Sequence, residues 1–169
     1  MKLLISLKPE DIDPNSPKFD YVAFKPRTAA RAVVLDNKKI ALIHVKTHGY
    51  YMLPGGGVDN DGLKDGLKRE ILEELGCEID ILGEIGKSEI YMDRWNSKQT
   101  DYCYLTKKID NASEQSPTDF ELNEGHTIAW SKDLDEAIFL VKNSKPVNRD
   151  GKLIQARELV FLKSLLVNS

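Results

Sequence analysis

Residues 53–77 read LPGGGVDNDGLKDGLKREILEELGC: a glycine-rich turn, an acidic loop, and a run crowded with carboxylates. Leu63, Leu67, Ile71 and Leu75 recur at helical spacing and make one apolar stripe, as expected of a helix packed on a sheet. Glu70 and Glu74 then lie one turn apart at the border of that stripe, with Glu73 beside them. Arg69 precedes Glu73 by four residues, close enough to pair with it. The helix is expected to begin near Gly62 or Leu63, with Asp61 as N-cap or as a carboxylate of a site. Gly76 is expected to end it in a left-handed conformation. Gly55, Gly56 and Gly57 allow the preceding backbone to turn tightly and expose its amides and carbonyls.

Three carboxylates on one helical face repel one another, and hard divalent cations seek such oxygen ligands. Glu70, Glu73 and Glu74 therefore make physical sense as a metal platform, although acidic helical runs are also common as solvated faces. Bound metal would neutralise an anionic substrate, orient it and lower the pKa of an attacking water. The stretch Asp59-Asn60-Asp61-Gly62 is not an EF-hand loop, because Gly57 and Lys68 fall where carboxylates are required. Asn148-Arg149-Asp150-Gly151 fails likewise, with Pro146 and Arg157 in those places.

Outward from this stretch, residues 27–35 and 39–46 are β-like runs separated by the turn signal Asp36-Asn37, and residues 50–53 form a short strand. Residues 78–84, 89–93 and 100–106 read as further strands, 107–124 as a loop and 127–130 as a strand. Residues 133–141 and 152–167 have helical periodicity, separated by a break at 143–151. Residues 1–20 begin apolar and continue through prolines and acids as an irregular N-terminal segment. Strands, a central helix, more strands and a terminal helix define an α/β class with a mixed sheet between helices.

At 169 residues the chain fits one domain able to bury a sizeable core. Its net charge of −3 provides no basic footprint and argues against a nucleic acid polymer as partner. Leu3 to Leu7 is too short for a signal segment, and nothing approaches the length of a membrane span, so no membrane partner is expected. Two cysteines, Cys77 and Cys103, make no disulfide framework; a reducing cytoplasm is the simpler setting. Cys77 reads as a small core residue, and no Cys/His or Ser/His pattern competes for the chemistry.

The members Gly55, Asp61, Arg69, Glu70, Ile71, Glu73, Glu74, Gly76 and Cys77 fit Gly-x5-acid-x7-Arg-Glu-apolar-x-Glu-Glu-x-Gly-apolar. This pattern resembles the box of the Nudix (MutT-like) hydrolases, with Asp61 where that family has Glu. Aligned instead on LPGGGV, the loop is one residue shorter than in common members. The resemblance implies an α/β/α sandwich, a single domain over residues 21–169, and Mg²⁺- or Mn²⁺-dependent hydrolysis of a diphosphate linkage in a nucleoside diphosphate derivative. It further implies that Glu70, Glu73 and Glu74 hold metal, joined by the carbonyl of Gly55, and that Arg69 orients a glutamate. Asp61 is then a supporting loop acid. Members often take a further acid from outside the box: Glu121 and Glu124 are the candidates, with Glu124-Gly125 before a Trp-containing strand the better match. A homodimer is an assembly that many relatives adopt.

Substrate recognition is weakly encoded. Arg31, His44, Lys46 and Arg94 could hold phosphate, and Tyr51, Tyr91 and Trp95 could stack a base; each type is also common as a solubilising or core residue. Two rival functions remain: a catalytically silent Nudix-like domain that binds a nucleotide for regulation, and an isoprenoid diphosphate isomerase on the same fold. The second needs a Cys/Glu pair that this pattern lacks.

Overall fold

Leu3–Leu7, expected to be part of an irregular segment, is a strand (β1) at the edge of the sheet. In a computed structural model, which describes residues 1–58, 62–110 and 115–167, β1 pairs in parallel with β5 (Glu78–Met92), Leu7 opposite Ile90. A five-residue apolar run gives little periodic signal alone; the backbone edge of β5 supplies the partners that fix it. One helical turn, α1 (Pro9–Ile12), follows. The segment 1–20, expected to be irregular, thus contributes a strand to the same sheet.

The remaining elements are β2 (Lys25–Asp36), β3 (Lys39–Val45), β4 (Tyr50–Met52), α2 (Leu63–Leu75), β6 (Ser97–Asp110), α3 (Asp119–Asn123), β7 (His126–Ser131), α4 (Leu134–Asn143) and α5 (Arg149–Val167). The sheet has seven strands in the order β1-β5-β6-β2-β3-β4, with β7 also paired to β3. It is mixed: β1–β5 and β2–β6 are parallel, and the other pairs are antiparallel. The two strands expected over residues 78–93 are one long strand whose register shifts at three bulges, which interrupt its periodicity but not its pairing. The expected loop 107–124 contains the end of β6 and the helix α3. Thr118 and Glu121 form a capping box on α3, a T-x-x-E signal present in the sequence.

Alternation along the strands gives the sheet two apolar faces. Ala30, Ala32, Val34 and Ile43 pack on one face against Leu67, Ile71 and Leu75 of α2. Val33, Leu42 and Leu53 pack on the other against Ala137 and Val141 of α4 and Phe161 and Leu162 of α5. This is the α/β/α sandwich. Helix α2 starts at Leu63, and its N-cap is Gly62, not Asp61; Gly76 is left-handed at φ 64° and closes it as expected. Asp61 lies outside the described residues.

Candidate active site

After β4 the chain does not leave the sheet. Ala32 N–H donates to the Pro54 carbonyl, Ala30 N–H to that of Gly56, and Val58 N–H to that of Thr28. The glycine turn is thereby stitched along β2, closer than a side chain permits. A Cβ on Gly55 would sit 2.2 Å from the Ala30 carbonyl oxygen, and its φ is +125°. A Cβ on Gly56 would sit 2.2 Å from Glu70 Oε2. The turn is glycine-rich because backbone presses on it from one side and the box carboxylates from the other.

From α2, Glu74 Oε2 accepts a 2.7 Å hydrogen bond from Gly55 N–H. Burial nevertheless pushes the Glu74 carboxyl up to about 8, the amide and Arg31 opposing and Glu121 and Glu70 adding to the rise. Burial also raises Glu70, against the pull of Arg69. Arg69 binds as a fork: its guanidinium lies 2.9 Å from Glu70, 3.2 Å from both Glu73 oxygens and 3.2 Å from the Gly57 carbonyl. Arg69, expected to orient a glutamate, thus sits between Glu70, Glu73 and the glycine turn. Glu70 and Glu74 line a cavity of about 450 Å³, whereas Glu73 turns outward to Arg69. The Gly55 carbonyl, expected as a metal ligand, accepts from the Arg31 guanidinium.

Arg31 lines the same cavity but is not a free phosphate ligand. It is buried, 3.1 Å from Asp101, and it braces the glycine turn. Asp101 in turn meets the wholly buried Arg157, 2.8 Å away, which also pairs with Glu158. Burial alone would raise the Asp101 carboxyl, but Arg157 and Arg31 outweigh it and hold the group below its ordinary value. Two arginines therefore compensate the charges beneath the site, as buried ions require.

Of the acids outside the box, Glu124 lines the cavity, and its carboxylate pairs with His48. Glu121 lies nearer the box: Glu74, Glu121 and His126 offer ligand atoms all within 4.8 Å of one another. Among the described residues this is the one such group of three or more. Burial keeps the His126 imidazole below its ordinary value, so the neutral ring is available as a ligand. Sequence reasoning did not single out His126, a lone histidine opening a strand.

Strand alternation decides the aromatic residues. Tyr50 and Met52 line the cavity, while Tyr51 packs on the opposite face and stacks on His44 across the strands at 4.4 Å. Tyr51 and the exposed Lys46, both expected near substrate, are not brought into the cavity. Trp95 and Arg94 do line it, joined by Arg27, Phe120 and Asp150, which sequence reasoning missed. Tyr91 packs instead among Tyr21 and Phe24.

The donor set suits a hard divalent cation: buried carboxylates that burial forces toward protonation, beside a neutral imidazole, gain from a positive charge. A glycine turn stitched to β2 thus meets a carboxylate-bearing helix within an α/β/α sandwich. The Nudix domain model matches residues 25–153, and this chain belongs to the Nudix family. Among solved structures, it resembles a Nudix hydrolase from Nitrosomonas europaea at 14% identity and TM-score 0.63, covering 85% of this chain and 90% of that one. A UDP-X diphosphatase matches at 17% and 0.57, covering 94% and 69%. An ADP-ribose pyrophosphatase from Streptococcus suis matches at 19% and 0.53, covering 83% and 92%. No curated protein sequence matches.

Proposed function

We propose that this Nudix enzyme hydrolyses a diphosphate linkage in a nucleoside diphosphate derivative, with Mg²⁺ or Mn²⁺. The observation that carries this reading is the convergence of Glu70 and Glu74 on the glycine turn inside one cavity. Glu70 and Glu74, with Glu121 and His126 at hand and Glu73 within reach of Arg69, are the residues to hold the cation. When bound, it supplies charge neutralisation for the diphosphate and activation of water. The chain's own groups do the rest. Water attacks one phosphorus, the bridging P–O bond breaks, and the other phosphoryl group leaves with the bridging oxygen. Glu121 or Glu124 takes the proton released by the water, and Arg69 keeps the box carboxylates in place. Tyr50, Met52, Met92 and Ile154 give the cavity an apolar wall.

Among the described residues no helix is long and apolar enough to cross a membrane. Cys77 and Cys103 are both buried free thiols, which suits the cytoplasm, where we place the protein.

The test is a panel of nucleoside diphosphate derivatives incubated with Mg²⁺, Mn²⁺ or EDTA, for the parent protein and Glu74→Gln. Metal-dependent cleavage that falls at least about a hundredfold in the variant is expected. Binding of nucleotides without cleavage in either metal would replace hydrolysis by a regulatory role.

A further inference from the structure

Glu74, Glu121 and His126 come from three elements, α2, α3 and β7, yet their ligand atoms lie within 4.8 Å of one another. Backbone contacts bring them there. Ser116 N–H donates to the Glu73 carbonyl at 2.9 Å and so fastens the segment leading into α3 to the last turn of α2. Pairing with β3 fixes β7 separately, with His126 opposite Val45.

Each carboxyl group is half used. Glu74 Oε2 accepts from Gly55 N–H, and Glu121 Oε2 accepts from the amide and hydroxyl of Thr118 at 2.6 and 2.8 Å. Among the described residues no hydrogen bond reaches the other oxygen of either glutamate or the ring of His126. The same three side chains, alone among the described residues, line both the main cavity and a second one of about 40 Å³. They stand where the two spaces meet, and the smaller admits an ion with about two waters but no nucleotide. Free acceptors converging on such a space share one suitable partner, a cation.

Ligand type decides which cation. Mg²⁺ seeks oxygen and is held by carboxylates, phosphates and water. Imidazole suits the transition metals, whose affinity for a mixed nitrogen and oxygen site rises from Mn²⁺ to Co²⁺. Building on the reading of the main cavity as metal-bearing, we infer that Glu74, Glu121 and His126 form a site for a first-row transition-metal dication. His126 is the residue that ranks Co²⁺ above Mn²⁺ and both above Mg²⁺.

Calorimetric titration of the metal-free full chain with Mg²⁺, Mn²⁺ and Co²⁺, without nucleotide, tests this apart from turnover. The parent protein is expected to bind Co²⁺ about tenfold or more tighter than Mg²⁺, and pulsed EPR of bound Mn²⁺ to show a directly coordinated imidazole nitrogen. His126→Gln is expected to lose that nitrogen coupling and to weaken Co²⁺ about tenfold or more, with Mg²⁺ changed less than about twofold. Circular dichroism and the melting temperature verify its fold. Glu121→Gln, a second variant, is expected to weaken Co²⁺ while the nitrogen coupling persists. Equal affinity for Co²⁺ and Mg²⁺ overturns the inference, as does bound Mn²⁺ without nitrogen coupling, or Co²⁺ binding that His126→Gln leaves unchanged. Absence of any Co²⁺ binding overturns it too. Nitrogen-ligated metal in a protein that cleaves no diphosphate compound would sink hydrolysis and leave this site standing; metal-dependent cleavage without a nitrogen ligand would do the reverse.

Discussion

The amide of Gly55 donates to Glu74 while the carbonyl of the same residue accepts from Arg31. One peptide segment is thus clamped between a carboxyl group from α2 and a cation from β2, and the box helix, the turn and the sheet are joined there.

Gly55 and Gly56 are expected to fail differently. Alanine at Gly55 meets backbone in a positive-φ conformation, which nothing nearby can relieve. A loss of about 2–4 kcal/mol is expected in urea unfolding. Alanine at Gly56 meets the flexible end of Glu70, which can swing away. Its expected cost is under about 1.5 kcal/mol, with metal affinity weakened at least about tenfold by calorimetry, since the displaced group is a proposed ligand.

Glu74 predicts a pH dependence in the absence of metal. Its carboxyl titrates near 8 when folded, against 4.5 ordinarily. Between these values the folded state holds a proton that the unfolded chain releases, so Glu74 subtracts stability as pH rises through that window. In EDTA, Glu74→Gln is expected to gain on the parent by about 4 °C or more between pH 5 and pH 8 in thermal melts. Added Mn²⁺ should reverse the difference at pH 8, because it binds the carboxylate and not the amide.

Arg31→Lys keeps the charge but loses the fork that joins Asp101 to the turn. A destabilisation of about 2–3 kcal/mol is expected from chemical denaturation, with Arg157 still compensating Asp101. The kcat should fall as the turn loosens, and KM should change little.

The two acids outside the box are separable. Glu124 is occupied by His48, whereas Glu121 groups with Glu74 and His126. Glu121→Gln is therefore expected to lower kcat about a hundredfold or more, and Glu124→Gln less than about tenfold. The reverse order in steady-state kinetics would restore Glu124 to the role that the sequence pattern favours.

Lys46→Ala and Tyr51→Phe are expected to leave KM within about twofold for the best substrate of the panel, because neither residue lines the cavity. A larger change in either would mean that substrate extends beyond it.

What the sequence determined by itself is local. The stripe Leu67, Ile71 and Leu75 placed α2 on the sheet, because helical periodicity is written in neighbouring residues. Gly76 ended the helix where only an easily left-handed residue fits. Asp36-Asn37 turned the β2–β3 hairpin, with Asn37 in the left-handed region at φ 57°, and the spacing of Arg69, Glu70, Glu73 and Glu74 identified the family. The tertiary structure alone decided what depends on contacts between distant segments. Alternation says that Tyr50 and Tyr51 face opposite ways, but only the packing of α4 and α5 turns Tyr51 from the cavity and leaves Tyr50 in it. Arg31 reads as a surface cation until Asp101 and Arg157 arrive from β6 and α5 to bury it. Residues 143–151 read as a break until the fold winds Arg149, Asp150 and Gly151 into the first turn of α5. Burial and charge compensation are properties of three-dimensional neighbours, and one-dimensional spacing does not carry them.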